Sequence, residues 1–168
     1  VVQSSTFSIK VTEILRERQA MEGYWGSYTL VLDAKGRINV PAKVREMIAK
    51  LEDGEQKFML TRGTKPYIAM FPIKVWAEKE QELNREVKDG EANFFLSLWM
   101  NSHASPQTVD KQGRINIPAE LIKYANLQKE VVMVGTGKRL GLWSPGSLSD
   151  YFASSEPKLS EYSKYVDF

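Results

Sequence analysis

Asp33-Ala-Lys-Gly-Arg-Ile-Asn-Val-Pro-Ala42 recurs later in the chain as Asp110-Lys-Gln-Gly-Arg-Ile-Asn-Ile-Pro-Ala119, and seven of the ten positions are identical. A repeat of this length sets the architecture before any single element is considered, because each copy must be one supersecondary unit. The decapeptide has a direct local reading. Tyr28, Leu30 and Leu32 alternate toward one face before the turn, and Ile38 and Val40 resume the alternation after Gly36. Gly36 can supply the positive φ that a tight turn needs. Val109, Ile115 and Ile117 repeat the pattern around Gly113. Each copy therefore predicts a strand, a turn and a second strand.

Working outward, each copy runs into a short amphipathic helix, residues 41–51 and 118–125. Proline stands at the expected first helical position, where its missing N–H costs nothing. Two short strands follow in each case, residues 58–60 and 67–71, then 131–134 and 140–143. Pro72 and Pro145 then introduce further helical stretches. The expected class is α+β. Such small units leave apolar faces uncovered, so two of them are expected to interlock as one pseudo-symmetric body with peripheral helices.

The remaining segments set the expected boundaries: an extension over residues 1–22, a first half over 23–90, a second half over 91–153 and a polar, loosely held tail over 154–168. Met21 would serve as a natural start, and Phe7, Val11, Ile14 and Leu15 have helical spacing within the extension. Residues 73–88 have helical spacing at Val75, Trp76, Leu83 and Val87. Residues 93–100 are dense in large apolar side chains, among them Phe94, Phe95, Leu98 and Trp99, which predicts a helix buried between the halves or at a subunit interface.

Composition removes many activities. The chain of 168 residues has no cysteine and a single histidine, His103. Thiol nucleophiles, disulfides and ordinary Cys/His metal sites are thereby excluded, and neither a metal, a cofactor nor a catalytic residue is expected. No stretch approaches the roughly 18 to 20 apolar residues of a membrane span, and no secretory signal is recognisable, so a cytoplasmic protein without a membrane partner is expected. Gly135-Thr136-Gly137-Lys138 lacks P-loop spacing and reads as a hairpin turn.

The net charge of +2 is too small to mark a nucleic-acid binder by itself. Its distribution is more informative. Residues 33–48 and 110–125 together carry Lys35, Arg37, Lys43, Arg45, Lys111, Arg114 and Lys123 against Asp33, Glu46, Asp110 and Glu120, a larger positive balance than that of the whole chain. Two readings of the Asp-x-x-Gly-Arg turn stay open. Asp33 and Asp110 can brace a turn whose arginine merely pairs back on them. Alternatively, Arg37 and Arg114 engage phosphate or guanine through their forked donors, with the aspartates as orienters. Lys43 and Arg45 fall in the first turn of a helix, where the dipole disfavours cations. An anionic partner would relieve them. Glu120 and Ile122 hold those places in the second copy, so the first half reads as the stronger anion binder.

The duplicated decapeptide, Gly26-Ser27-Tyr28-Thr29-Leu30 before it, Lys129-Glu130-Val131-Val132-Met133-Val134-Gly135, and Leu142-Trp143-Ser144-Pro145 together resemble the MraZ family over residues 23–151. The resemblance implies two AbrB-like swapped-hairpin β-barrel halves. It also implies a ring-shaped homo-oligomer, a nucleoid-associated transcriptional regulator that binds direct repeats of double-stranded DNA. The implied site is the promoter of the bacterial division and cell-wall gene cluster, including the regulator's own gene. The family's Asp-x-x-x-Arg contacts carry over to Asp33 with Arg37 and to Asp110 with Arg114. The arginine-rich helix that usually precedes the second motif is replaced here by the apolar residues 93–100. Two other classes compete: a ring-forming scaffold whose hairpin face binds protein, and, more remotely, a carboxylate-dependent hydrolase.

Overall fold

The computed structural model describes residues 23–166. The extension at residues 1–22 lies outside the described residues, as does its helical spacing. Among the described residues eight strands form: β1 (Ser27–Val31), β2 (Arg37–Asn39), β3 (Lys57–Arg62), β4 (Ile68–Pro72), β5 (Ser105–Thr108), β6 (Arg114–Asn116), β7 (Glu130–Gly135) and β8 (Leu140–Trp143). The helices are α1 (Ala42–Leu51), α2 (Ile73–Glu86), α3 (Gly90–Asn101), α4 (Ala119–Tyr124), α5 (Pro145–Ser155) and α6 (Leu159–Tyr162), with a 3-10 turn on either side of α6. The class is α+β, with antiparallel strands and peripheral helices.

The strands do not pair as the local sequence suggests. β1 and β2 form no ladder with each other, although the Asp33 N–H donates to the Arg37 carbonyl at 2.9 Å. β1 instead pairs with β7, β5 pairs with β3, and β2 pairs with β6, all antiparallel. The large sheet has the order β1-β7-β8-β4-β3-β5, and β2-β6 is a separate two-stranded ribbon. Exchanging the labels of the two repeats reverses the six-strand order onto itself, so a pseudo-two-fold axis passes between β8 and β4. The expected strand, turn and second strand form in each copy, but the turn passes the chain from the sheet to the ribbon and does not close a ladder between its own two strands.

Burial explains the exchange. Ile38 and Ile115 face each other across the ribbon and are essentially inaccessible to solvent. They pack in one cluster with Val40, Val44, Ile48, Phe58, Leu60 and Met70 from the first repeat and Ile117, Leu121, Val131, Met133 and Leu140 from the second. Neither repeat could enclose these side chains alone. The central strands β4 and β8 are buried on both faces: Tyr67, Ala69, Phe71 and Trp143 point away from the main cluster and meet Val75 and Trp76 of α2. Tyr67 and Trp143 stack with centroids 4.5 Å apart.

Three details of the helices bear on the expectations. Pro41 and Pro118 occupy the N-caps of α1 and α4, one residue before the first helical position, because each still has the extended ψ of the incoming strand. The tail from Ser154 continues through helical turns as far as Tyr165. Helix α3 forms where the apolar run lies; of the two expected placements, burial between the halves is corrected, because Phe94 and Phe95 are 66% and 60% exposed, while Trp99 and Met100 are half-buried. Its start is fixed by Asp89, whose side chain accepts the Ala92 N–H at 2.7 Å.

Because both repeats fill one core, truncating a side chain at the ribbon should weaken the whole molecule at once. Ile115→Ala is expected to lower stability by about 2–5 kcal/mol, in line with other buried isoleucine truncations. Urea unfolding followed by tryptophan fluorescence and by circular dichroism should give one coincident transition for both proteins. Separate transitions for the two probes would contradict the interlocked core.

Candidate nucleic-acid interface

The two Asp-x-x-Gly-Arg turns are built alike, bond for bond. In the first, one carboxylate oxygen of Asp33 accepts the backbone N–H groups of Lys35 and Arg37, both at 2.9 Å. The other oxygen accepts Arg37 Nε at 2.8 Å and lies 2.7 Å from Arg37 Nη2. In the second, Asp110 accepts the N–H groups of Gln112 and Arg114 at 2.9 Å, and its second oxygen takes Arg114 Nε and Nη2 at 3.0 Å. Gly36 and Gly113 donate back to the carbonyls of Asp33 and Asp110 and take φ of +76° and +79°. A side chain with a Cβ is strained in that conformation.

Each guanidinium is therefore gripped along its Nε–Nη2 side. The outer Nη1–Nη2 edge is left to offer two parallel N–H donors, the arrangement that matches a phosphate or the O6 and N7 of guanine. Both arginine side chains are about a quarter exposed, 27% for Arg37 and 28% for Arg114. Lys35 and Lys111 stand exposed at the tips of the turns.

The ribbon brings the two turns into one assembly through reciprocal bonds. Val40 N–H donates to the Gly113 carbonyl and Ile117 N–H to the Gly36 carbonyl, each at 2.8 Å. Helix α1 therefore starts beside the second turn, and α4 beside the first. This overturns the expected charge pairing. Arg45, read from sequence as a companion of Arg37, donates Nε to the Val40 carbonyl at 3.1 Å, and its Cζ would lie 3.1 Å from a Cβ placed on Gly113. At the equivalent place over Gly36 stands the Cδ1 of Ile122, 3.3 Å from such a Cβ. Arg45 thus flanks the Arg114 turn, with Lys43 on the same helix, whereas Glu120 belongs to the helix flanking the Arg37 turn. The sequence could not show this, because the exchange of partners is a tertiary event.

Two exposed polar residues were missed in the sequence reading. Asn39 and Asn116 alternate with the buried Ile38 and Ile115, so they share the outer face of the ribbon with Arg37 and Arg114. The signal was present, since Arg-Ile-Asn is identical in both copies. His103 follows α3, with Nδ1 3.0 Å from Ser102 Oγ and Nε2 3.9 Å from Glu120. Gly135-Thr136-Gly137-Lys138 joins β7 to β8, where Thr136 N–H donates to the Arg139 carbonyl. Among the described residues no cluster of three or more His, Asp or Glu side chains could hold a metal ion, and no helix is long and apolar enough to cross a membrane.

The bonds lower both aspartate pKa values below the ordinary range, with different leading causes. For Asp33 the main one is the Arg37 side chain; for Asp110 it is the Arg114 backbone N–H. A carboxylate with a depressed folded pKa contributes stability that is present above its unfolded pKa and lost as pH falls through the folded value. Carboxyl-carbon NMR titration should place both midpoints below the usual aspartate range. Arg37→Ala should raise Asp33 toward that range, because it removes the leading cause. Arg114→Ala should release Asp110 less, because the backbone donor survives the substitution. Equal release at both sites would contradict the difference in cause.

Comparison with known proteins adds an independent finding. A family model described as "MraZ protein, putative antitoxin-like" matches residues 24–97 and again residues 100–165. A protein of Halothermothrix orenii named transcriptional regulator MraZ is 36% identical over 139 residues, covering 82% of this chain and 92% of the relative. A protein of Carboxydothermus hydrogenoformans with the same name is 34% identical over 147 residues, covering 86% and 98% respectively. With two matched copies spanning the ribbon and both turns, the chain belongs to the MraZ family.

Proposed function

We propose that the chain is a sequence-specific, DNA-binding transcriptional regulator, cytoplasmic and nucleoid-associated. It binds direct repeats in the promoter of the division and cell-wall gene cluster, including its own gene. The observation that carries this reading is the pair of identically braced arginines, each held by its aspartate along the Nε–Nη2 side and about a quarter exposed. The names of its relatives support a regulatory role. Asp33 and Asp110 act as orienters, Gly36 and Gly113 shape the turns, and Lys35, Lys43, Arg45 and Lys111 supply attraction to phosphate. The reciprocal strand exchange supports reading the core as two AbrB-like swapped-hairpin halves. The function is binding rather than catalysis.

One protomer with a net charge of +2 holds duplex DNA weakly. A ring of protomers presenting several turns on one face overcomes this by raising effective concentration when repeat spacing matches subunit spacing. Exposed Phe94, Phe95 and Leu98 on α3, and Phe152 on α5, are the apolar surface such contacts would cover. Light scattering at micromolar concentration should find a homo-oligomer larger than a dimer, and a clean monomer would rule the ring out.

The functional test is a gel-shift series on a duplex carrying promoter direct repeats and on a scrambled duplex. Preference for the repeats is expected. Equal binding to both, or none, would overturn the regulator in favour of a scaffold whose hairpin face binds protein. In the same series Arg114→Ala should cost more affinity than Arg37→Ala, because Lys43 and Arg45 draw the second turn toward phosphate while Glu120 repels it from the first. The loss of one bidentate base contact corresponds to about 1–3 kcal/mol per site. A larger loss in Arg37→Ala would contradict the exchanged pairing.

A further inference from the structure

The outer face of the ribbon carries a second recognition chemistry beside the arginines. Asn39 and Asn116 are exposed, and each follows an arginine by two residues on the same face. Antiparallel register sets Asn116 directly opposite Arg37 and Asn39 directly opposite Arg114. Directly opposed residues have Cβ atoms about 4.5–5.5 Å apart. Each guanidinium from one repeat therefore has a carboxamide from the other repeat as its neighbour.

We propose that Asn39 and Asn116 are specificity-determining residues that read adenine in the major groove, each next to the arginine of the opposite repeat. This assignment rests on the DNA-binding reading above and deepens it. An arginine offers only donors, so it suits the two acceptors of guanine, O6 and N7. A carboxamide offers one donor and one acceptor side by side, which suits N7 and the N6 amino group of adenine. A two-stranded ribbon is narrow enough to enter the major groove. The aspartate grip matters here as well: it holds each guanidinium on its own turn and leaves the carboxamide of the opposed asparagine available to a base. Ile38 and Ile115, anchored in the core behind, keep both asparagines facing outward.

The test uses the full chain and a pool of random-sequence DNA duplexes. Sequences retained by the unaltered protein and by the Asn39→Ala/Asn116→Ala protein are determined. The unaltered protein should enrich a motif containing guanine and adenine. The double variant should lose the adenine requirement and keep the guanine. Replacing the enriched adenine by 7-deazaadenine, which removes N7 but preserves pairing, should weaken the unaltered protein about 5- to 150-fold and leave the double variant unaffected. Thermal melting checks that the variant folds, and Asn39→Ser/Asn116→Ser serves if the alanine protein does not. An unchanged motif in the folded variant overturns the adenine assignment while the regulator reading stands. A random pool from which the unaltered protein enriches no sequence overturns both.

Discussion

Two backbone hydrogen bonds, Val40 N–H to Gly113 O and Ile117 N–H to Gly36 O, are the constraint on which the other relations in this molecule depend. Each bond ties the strand end of one repeat to the turn of the other. They can form only because glycine takes a positive φ at both turns and because β2 and β6 pair over Ile38 and Ile115. The chain has no route by which one repeat could satisfy these donors within itself in this arrangement. Buried backbone groups left without partners are costly, so the two copies are committed to each other. The same requirement recurs in the large sheet, where β1 and β5 find their partners only in the opposite repeat.

On a face proposed to meet DNA, an aspartate looks unfavourable until its bonds are counted. Each carboxylate accepts two backbone N–H groups and two guanidinium N–H groups, so its charge is spent inside the turn. The arginine charge is cancelled in the same act. An Asp–Arg unit of this kind contributes little to the long-range attraction for phosphate, which depends on uncompensated cations. What it contributes is a donor pair held in a fixed direction. In the proposed reading direction serves base recognition, whereas attraction falls to the exposed lysines and to Arg45, which lies over the second turn. On that proposal the ribbon separates two tasks that a single free arginine would have to combine.

The periphery follows a different logic from the ribbon. Helix α3 starts at a well-made cap and anchors through Trp99, over which Arg62 lies 4.2 Å from the ring centroid. Thr61 adds a hydrogen bond to the Met100 carbonyl at 2.9 Å. The rest of the helix turns phenylalanine and leucine side chains outward, away from the core that the repeats share. The interior is complete without them, because the twofold exchange already encloses its apolar residues.

The repeat, the class of the fold, the turn glycines and the Asp–Arg partnership were legible in the residues, because each depends on contacts within a few positions of the chain. Alternation over Tyr28, Leu30 and Leu32, and again over Ile38 and Val40, correctly gave two strands and a turn. It could not give their partners, since strand pairing is decided by which apolar faces must be covered, and that depends on the whole body. For the same reason Arg45 was assigned to the nearer turn in sequence and is found over the farther one. The outward faces of α3 were equally beyond reach: an apolar helix reads the same whether its cover comes from its own chain or from elsewhere. The local chemistry of each turn was thus written in the decapeptide, whereas the environment of each turn was decided by the exchange, because hydrogen bonds and burial across the pseudo-two-fold axis join residues that sequence distance keeps apart.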